Sequence, residues 1–324
     1  MTAASDELTQ RLSDGEVMVI DGGMNSELQA RGVPLNYEAP GSSANLDYFD
    51  VVREVHEDYI RAGADIHITN THASVRFLLD AAGCGEQTAE IHRRAVQAAL
   101  NARERVADRQ VFIAGSMSVV FGVDDARRKG NLGPDDDAIR AAFAEQASLL
   151  ADAGVDLLIL ELAGSNWLPG LQAAVSTGLP VWIGPMAALA EAGEVLAIQS
   201  DDVVSTPIVA TEDSDPFGTE LNRLLTENVS GVVVMHTEVE TIVPALKVVA
   251  EHFDGPYGAY PHVGDYDRPN WIFTGMTPDQ FASHAVEWVE AGAQLVGGCC
   301  GTRPEHTRAI KERVPARVAK LDPR

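Results

Sequence analysis

The chain has 324 residues, of which 24 are basic and 48 acidic, giving a net charge of −24, and 45% of it is hydrophobic. So acidic a surface repels polyphosphate, which argues against nucleic acid and anionic membranes as partners. Only four of the basic residues are lysine, a bias that fits either arginine-favouring codon usage or adaptation to high salt.

The opening MTAASDELTQ carries neither the basic nor the apolar region of a secretory signal. No apolar run reaches bilayer-spanning length. With three cysteines and no export signal, the expectation is a cytoplasmic protein with reduced thiols.

Eight apolar runs rich in Val and Ile then follow one another. They are VMVIDGG (17–23), ADIHITNT (64–71), VFIAGSM (111–117), VDLLILEL (155–162), PVWIGPM (180–186), VSGVVVMH (229–236), GPYGAYP (255–261) and AQLVGGCC (293–300). Their near-continuous apolar character is that of strands buried on both faces. Amphipathic helices lie between them. PDDDAIRAAFAEQASLLADAG opens on an acidic turn and stops at Gly154, and TPDQFASHAVEWVEAG has Thr277 as N-cap and Pro278 in the first turn. The junctions RAGADIHI, DAGVDLLI and EAGAQLVG repeat one design, a glycine ending a helix just before a strand.

Eight such units predict a single-domain (β/α)8 TIM barrel over residues 1–324. The runner-up, an open doubly wound sheet, calls for a G-x-G-x-x-G turn after the first strand, and DGGMNSE does not supply one. The least regular stretch, 186–228, reads as loops and helices between strands five and six.

A barrel of this kind builds its active site at the C-terminal ends of its strands. Those ends carry Asp21, Thr69 to His72, Ser116, Glu161, Met186, His236, Tyr260 to His262, and Cys299 with Cys300. Two adjacent thiols between glycines can supply two ligands to an enzyme-type zinc ion, with His236 as the natural third. Inert buried thiols and a redox-active vicinal disulfide suit the spacing equally well. Asp21 and Glu161 are placed to hold the ammonium of an amino acid. Cys84 has no partner in the pattern and reads as a small packed thiol.

These residues make the chain resemble the homocysteine S-methyltransferase family. IDGGMNSELQARG (20–32), VREVHEDYIRAGADIHITNTHAS (52–74), YPHVGDY (260–266) and GGCCGTRPEHTRAI (297–310) carry the resemblance across nearly the whole chain. It implies a (β/α)8 barrel and a Zn2+ site, with homocysteine and a methyl donor as small-molecule substrates, and methionine as product. By the same resemblance, Cys299 and Cys300 ligate zinc, while Asp21, Gly22, Gly23, Thr71 and Glu161 grip homocysteine. Tyr260 and His262 stand in the family's Tyr-Pro-Asn stretch and are taken as substrate-facing.

The chain departs from the family pattern where His236 replaces the strand-six cysteine. Two cysteines and a histidine hold the metal with about one unit less negative charge than the family's three cysteines. His262 stands for asparagine and Ser42 for a tryptophan. With aromatic residues only 6% of the chain, a sulfonium donor (S-methylmethionine or S-adenosylmethionine) is favoured over betaine. His72 and His262 are the alternative third ligands. Two other readings keep the barrel: an enzyme acting on another thiol or methylated sulfur compound, and a non-catalytic relative. A homo-oligomer is left open.

Overall fold

All eight expected strands form in the computed structural model, which describes residues 3–118, 135–163, 167–198, 210, 214–267 and 270–318. They are β1 (Met18–Val19), β2 (Ile66–Ile68), β3 (Phe112–Ser118), β4 (Leu157–Ala163), β5 (Val181–Pro185), β6 (Gly231–Met235), β7 (Tyr257–Tyr260) and β8 (Leu295–Val296). Each pairs in parallel with its neighbour in the order β1-β8-β7-β6-β5-β4-β3-β2. A parallel bridge between Ile20 and Ile66 closes the ring, flanked by Asp65 N donating to Val19 O at 2.7 Å and Asp21 N to Ile66 O at 3.0 Å. The architecture is the (β/α)8 barrel.

Side-chain alternation along the strands divides the core into two layers. Met18, Ile20, Ile66, Phe112, Leu157, Ile159, Trp182, Val233, Met235, Tyr260 and Leu295 fill the barrel. Their strand neighbours Val19, Ile113, Leu158, Ile183, Val234 and Val296 pack outward against the helices. This double burial is why the strands read as unbroken apolar runs. The N-terminal helix Ala3–Ser13 adds Leu8 and Leu12 to the interior cluster, and Ser5 Oγ donates to Asp156 O at 2.7 Å, just before β4. The helix therefore plugs the end of the barrel opposite the strand C-termini, an element without a counterpart in the sequence reading.

The helix boundaries follow the local chemistry. Asp135 caps the helix Asp136–Ala153 by accepting from Ala138 N at 2.8 Å. Thr277 and Gln280 form a capping box on Pro278–Glu290. Gly63, Gly154 and Gly292 at the three repeated junctions have φ of +107°, +93° and +97°, a region nearly closed to residues with a Cβ. The stretch 186–228 contains a hairpin (Ala187–Leu189 with Val195–Ala197) and a helix, Phe217–Leu224, while 199–209 and 211–213 lie outside the described residues. A second hairpin, Asp265–Asp267 with Asn270–Ile272, follows β7 over the barrel mouth. Among the described residues, no helix is long and apolar enough to cross a membrane.

Candidate active site

The loop after β8 carries the paired cysteines and is tied on both sides. Cys299 N donates to Pro261 O at 2.8 Å, and Val263 N to Cys300 O at 2.9 Å. Thr302 Oγ1 donates to Cys299 O at 2.6 Å, and Gly301 N to Ser26 Oγ at 3.1 Å. The Gly22-Gly23 turn lies against this loop so closely that a Cβ on Gly23 would stand 2.9 Å from Cys299 O and 2.1 Å from Ser26 Oγ. The double glycine after β1 is thus a packing requirement of the cysteine loop. Ser26, which joins the two loops, and Thr302, which braces the cysteine loop from within, carry no sequence signal beyond being short hydroxyl residues.

His236 reaches the same place by an unusual route. Met235 points into the barrel, so strict alternation would send the next side chain outward. Instead His236 has φ +42°, alone among the described non-glycine residues in having positive φ. The left-handed turn swings its imidazole back over the mouth. Thr237 Oγ1 holds the turn by donating to Met235 O at 2.7 Å while accepting from Ala187 N at 3.1 Å.

The result is a triangle of ligand atoms. Cys299 Sγ lies 3.7 Å from Cys300 Sγ and 3.8 Å from His236 Nδ1, and all three atoms fall within 4.8 Å of one another. A tetrahedral zinc ion with bonds of about 2.3 Å to sulfur and about 2.05 Å to nitrogen spans edges of about 3.8 Å and about 3.6 Å. The donor set therefore fits such an ion in chemistry and in the spacing of its two edges at Cys299. Burial, reinforced by His262 and His72, holds the His236 pKa well below its usual range, so the ring is a neutral donor at neutral pH. Its Nε2 is buried without a hydrogen-bond partner. The neighbouring Cys300 thiol, and then burial, raise the Cys299 pKa.

The triangle opens onto a cavity of about 130 Å3 at the mouth. Asp21 and Glu161 stand in its wall, both largely buried. Ile68 N donates to Asp21 Oδ2 at 3.0 Å, yet burial drives the Asp21 pKa well up and the Glu161 charge adds to the rise. Glu161 accepts from Ser116 Oγ in a short hydrogen bond and from Tyr260 OH at 3.2 Å, beside a register shift in β4 between Glu161 and Ala163. His72 Nδ1 is 3.8 Å from Glu161 Oε1.

Of the residues expected to face substrate, Asp21, Gly22, Gly23, Glu161 and Tyr260 line this cavity. Thr71 and His262 are not part of its wall. Thr71 Oγ1 turns into the fold and donates to Ser116 O at 2.7 Å. His262 stands behind His236, ring centroids 4.8 Å apart, with its Nε2 3.2 Å from Glu238 Oε1. Ser42 is likewise committed elsewhere, donating to Ala73 O at 2.8 Å. The sequence reading missed Trp271, which lines the cavity from the hairpin after β7.

Comparison with known proteins gives a consistent picture. A family model described as homocysteine S-methyltransferase matches residues 18–314. The homocysteine S-methyltransferase of Escherichia coli (strain K12) is 27% identical over 322 residues, covering 95% of this chain and 99% of the relative. The selenocysteine methyltransferase of Astragalus bisulcatus is 28% identical over 334 residues, covering 91% and 92%. Among solved structures, the metallated form of the Escherichia coli homocysteine methyltransferase MmuM superposes with a TM-score of 0.73 at 25% identity, covering 94% of this chain and 99% of that one.

Proposed function

The chain belongs to the homocysteine S-methyltransferase family, and on that premise we propose that it is a zinc-dependent enzyme that methylates the thiol of homocysteine from a sulfonium donor. The observation that carries this reading is the triangle of Cys299, Cys300 and His236, whose two edges at Cys299 are close to those of a tetrahedral zinc site with one position left for the acceptor sulfur. Zinc, when bound there, supplies Lewis-acid stabilisation of the acceptor sulfur as a thiolate at neutral pH.

The protein's own residues do the rest by positioning. Asp21 and Glu161 face the cavity together and pair with the acceptor's ammonium, whose arrival favours the ionised Asp21 carboxylate that burial alone disfavours. Ser116 and Tyr260 hold Glu161 in place from two sides. Met235 and Tyr260 line the cavity as buried side chains at its inner end. In the reaction, the acceptor sulfur attacks the donor's methyl carbon as the donor's sulfur–carbon bond breaks. Methionine and a neutral thioether leave, and no proton needs a side-chain carrier in the transfer itself. Catalysis then rests on alignment of the two sulfurs about the methyl group.

A second acceptor class has a specific basis. The Astragalus bisulcatus relative is named for selenocysteine, and His72 lines the cavity beside Glu161. The decisive experiment measures metal content and homocysteine consumption for the parent and His236→Ala, with S-methylmethionine, S-adenosylmethionine and betaine as donors. Selenocysteine serves as the competing acceptor. The expected outcome is about one zinc per chain in the parent, with both metal and turnover lost in the variant. A zinc-free but folded parent that consumes no homocysteine overturns the proposal.

A further inference from the structure

The aromatic wall that the residues around Ser42 do not provide comes from a different part of the chain. Trp271 lines the cavity from the hairpin over the mouth and is only 5% exposed. Its position is over-determined. Gln29 clamps its peptide from both sides, accepting from Trp271 N at 2.6 Å and donating to Trp271 O at 2.8 Å. The indole Nε1 donates to Val263 O at 2.6 Å. Gly301, at φ +77°, leaves the space in which the indole edge sits, since a Cβ there would stand 2.2 Å from Nε1.

This fixed ring borders the candidate metal ligands. Its centroid lies 6.0 Å from that of His236 and 5.7 Å from that of His262, at interplanar angles of 66° and 72°. Tyr260 is the other phenol or indole ring lining the cavity among the described residues. Its hydroxyl is committed to Glu161 and Met235 at the barrel floor. Trp271 therefore adds an extended π-system to the cavity wall beside the candidate metal ligands, where a second substrate meets it once the acceptor occupies the carboxylate side.

We propose that the indole of Trp271 is the donor-binding platform of the site, holding the methyl-bearing cation of an onium donor against its face. The inference rests on the methyltransferase reading above and adds to it the residue that selects the donor's charge. The ring quadrupole attracts a cation, most strongly for indole and least for an aliphatic side chain.

The test uses the zinc-loaded full chain as parent, Trp271→Phe and Trp271→Leu. The KM for S-methylmethionine is expected to rise about tenfold in Trp271→Leu, with Trp271→Phe between it and the parent. Zinc content and the KM for homocysteine should stay within about twofold of the parent in all three. Calorimetry with trimethylsulfonium, set against its neutral tert-butyl counterpart, reads the platform without turnover. The parent should prefer the cation, and Trp271→Leu should not. Equal affinity for the two probes in the parent, or equal losses for donor and acceptor in the variants, overturns the inference. Cation preference in a parent that transfers no methyl group upholds the platform while overturning the reaction.

Discussion

His236 Nδ1 stands 3.8 Å from Cys299 Sγ, and it does so because the His236 backbone adopts φ +42° where a continuing strand would turn the ring away. A histidine held in a left-handed conformation is strained by roughly 1 kcal/mol or more, and such strain persists where the surroundings over-determine it. Here the Thr237 hydroxyl, bonded to Met235 O and Ala187 N, and the packed Met235 side chain do so.

Relief of that strain gives a first prediction. His236→Gly should bind zinc at least tenfold more weakly than the parent, since one of three protein ligands is gone. Its metal-free form should nevertheless melt no lower than the metal-free parent, because glycine takes positive φ freely. Zinc titration and thermal melts in chelator check the two halves separately.

The Gly22-Gly23 turn gives a second. A Cβ on Gly23 would meet Cys299 O at 2.9 Å, a backbone atom that moves only with its loop. Gly23→Ala should keep the barrel's circular dichroism while lowering zinc affinity about tenfold or more, through displacement of both sulfurs. Unchanged metal affinity in this variant would show that the cysteine loop tolerates the shift.

The carboxylate at the end of β1 gives a third. Burial raises the folded Asp21 pKa well above 3.8, so the folded state holds a proton that the unfolded state has released. Stability is therefore lost as pH rises from about 3.8 through the raised folded value, and the deficit persists at neutral pH. Asp21→Asn removes this penalty. The variant should melt higher than the parent at pH 7 and equally at low pH, while its homocysteine KM rises about tenfold from loss of the ammonium partner.

His56 gives a fourth prediction with the opposite sign. It is fully buried with neither ring nitrogen hydrogen-bonded, and burial lowers its pKa from 6.5 to about 4. The unfolded chain takes up this proton first, so stability is complete above pH 6.5 and falls as pH drops towards 4. By linkage this single group accounts for about 3 kcal/mol of acid destabilisation. Urea unfolding at pH 7 and pH 4 should show a smaller difference for His56→Leu than for the parent by about that amount.

The parts of the molecule legible in the chain are those with local causes. Apolar runs at even intervals, glycine stops at residues 63, 154 and 292, and the caps at Asp135 and Thr277 specify strands and helices within a few residues of themselves. Parallel connection of eight such units then leaves the closed barrel as the economical solution. Less legible were the plug helix Ala3–Ser13 and the hairpin carrying Trp271, since each is held by contacts with remote segments.

By itself, the sequence determined that polar strand ends from Asp21 to Cys300 would converge on one mouth, because strand direction and chain order require it. Where each side chain points within that mouth was decided only by the tertiary structure. Thr71 and His262 turn aside, His236 turns in against the strand's own alternation, and Trp271 reaches the cavity from a hairpin. The reason is physical: periodicity fixes which face a residue takes inside a strand, but at a strand's end the backbone is free to choose. There the choice falls to hydrogen bonds such as Thr237 to Met235 and Gln29 to Trp271, the second of which joins residues far apart in the chain.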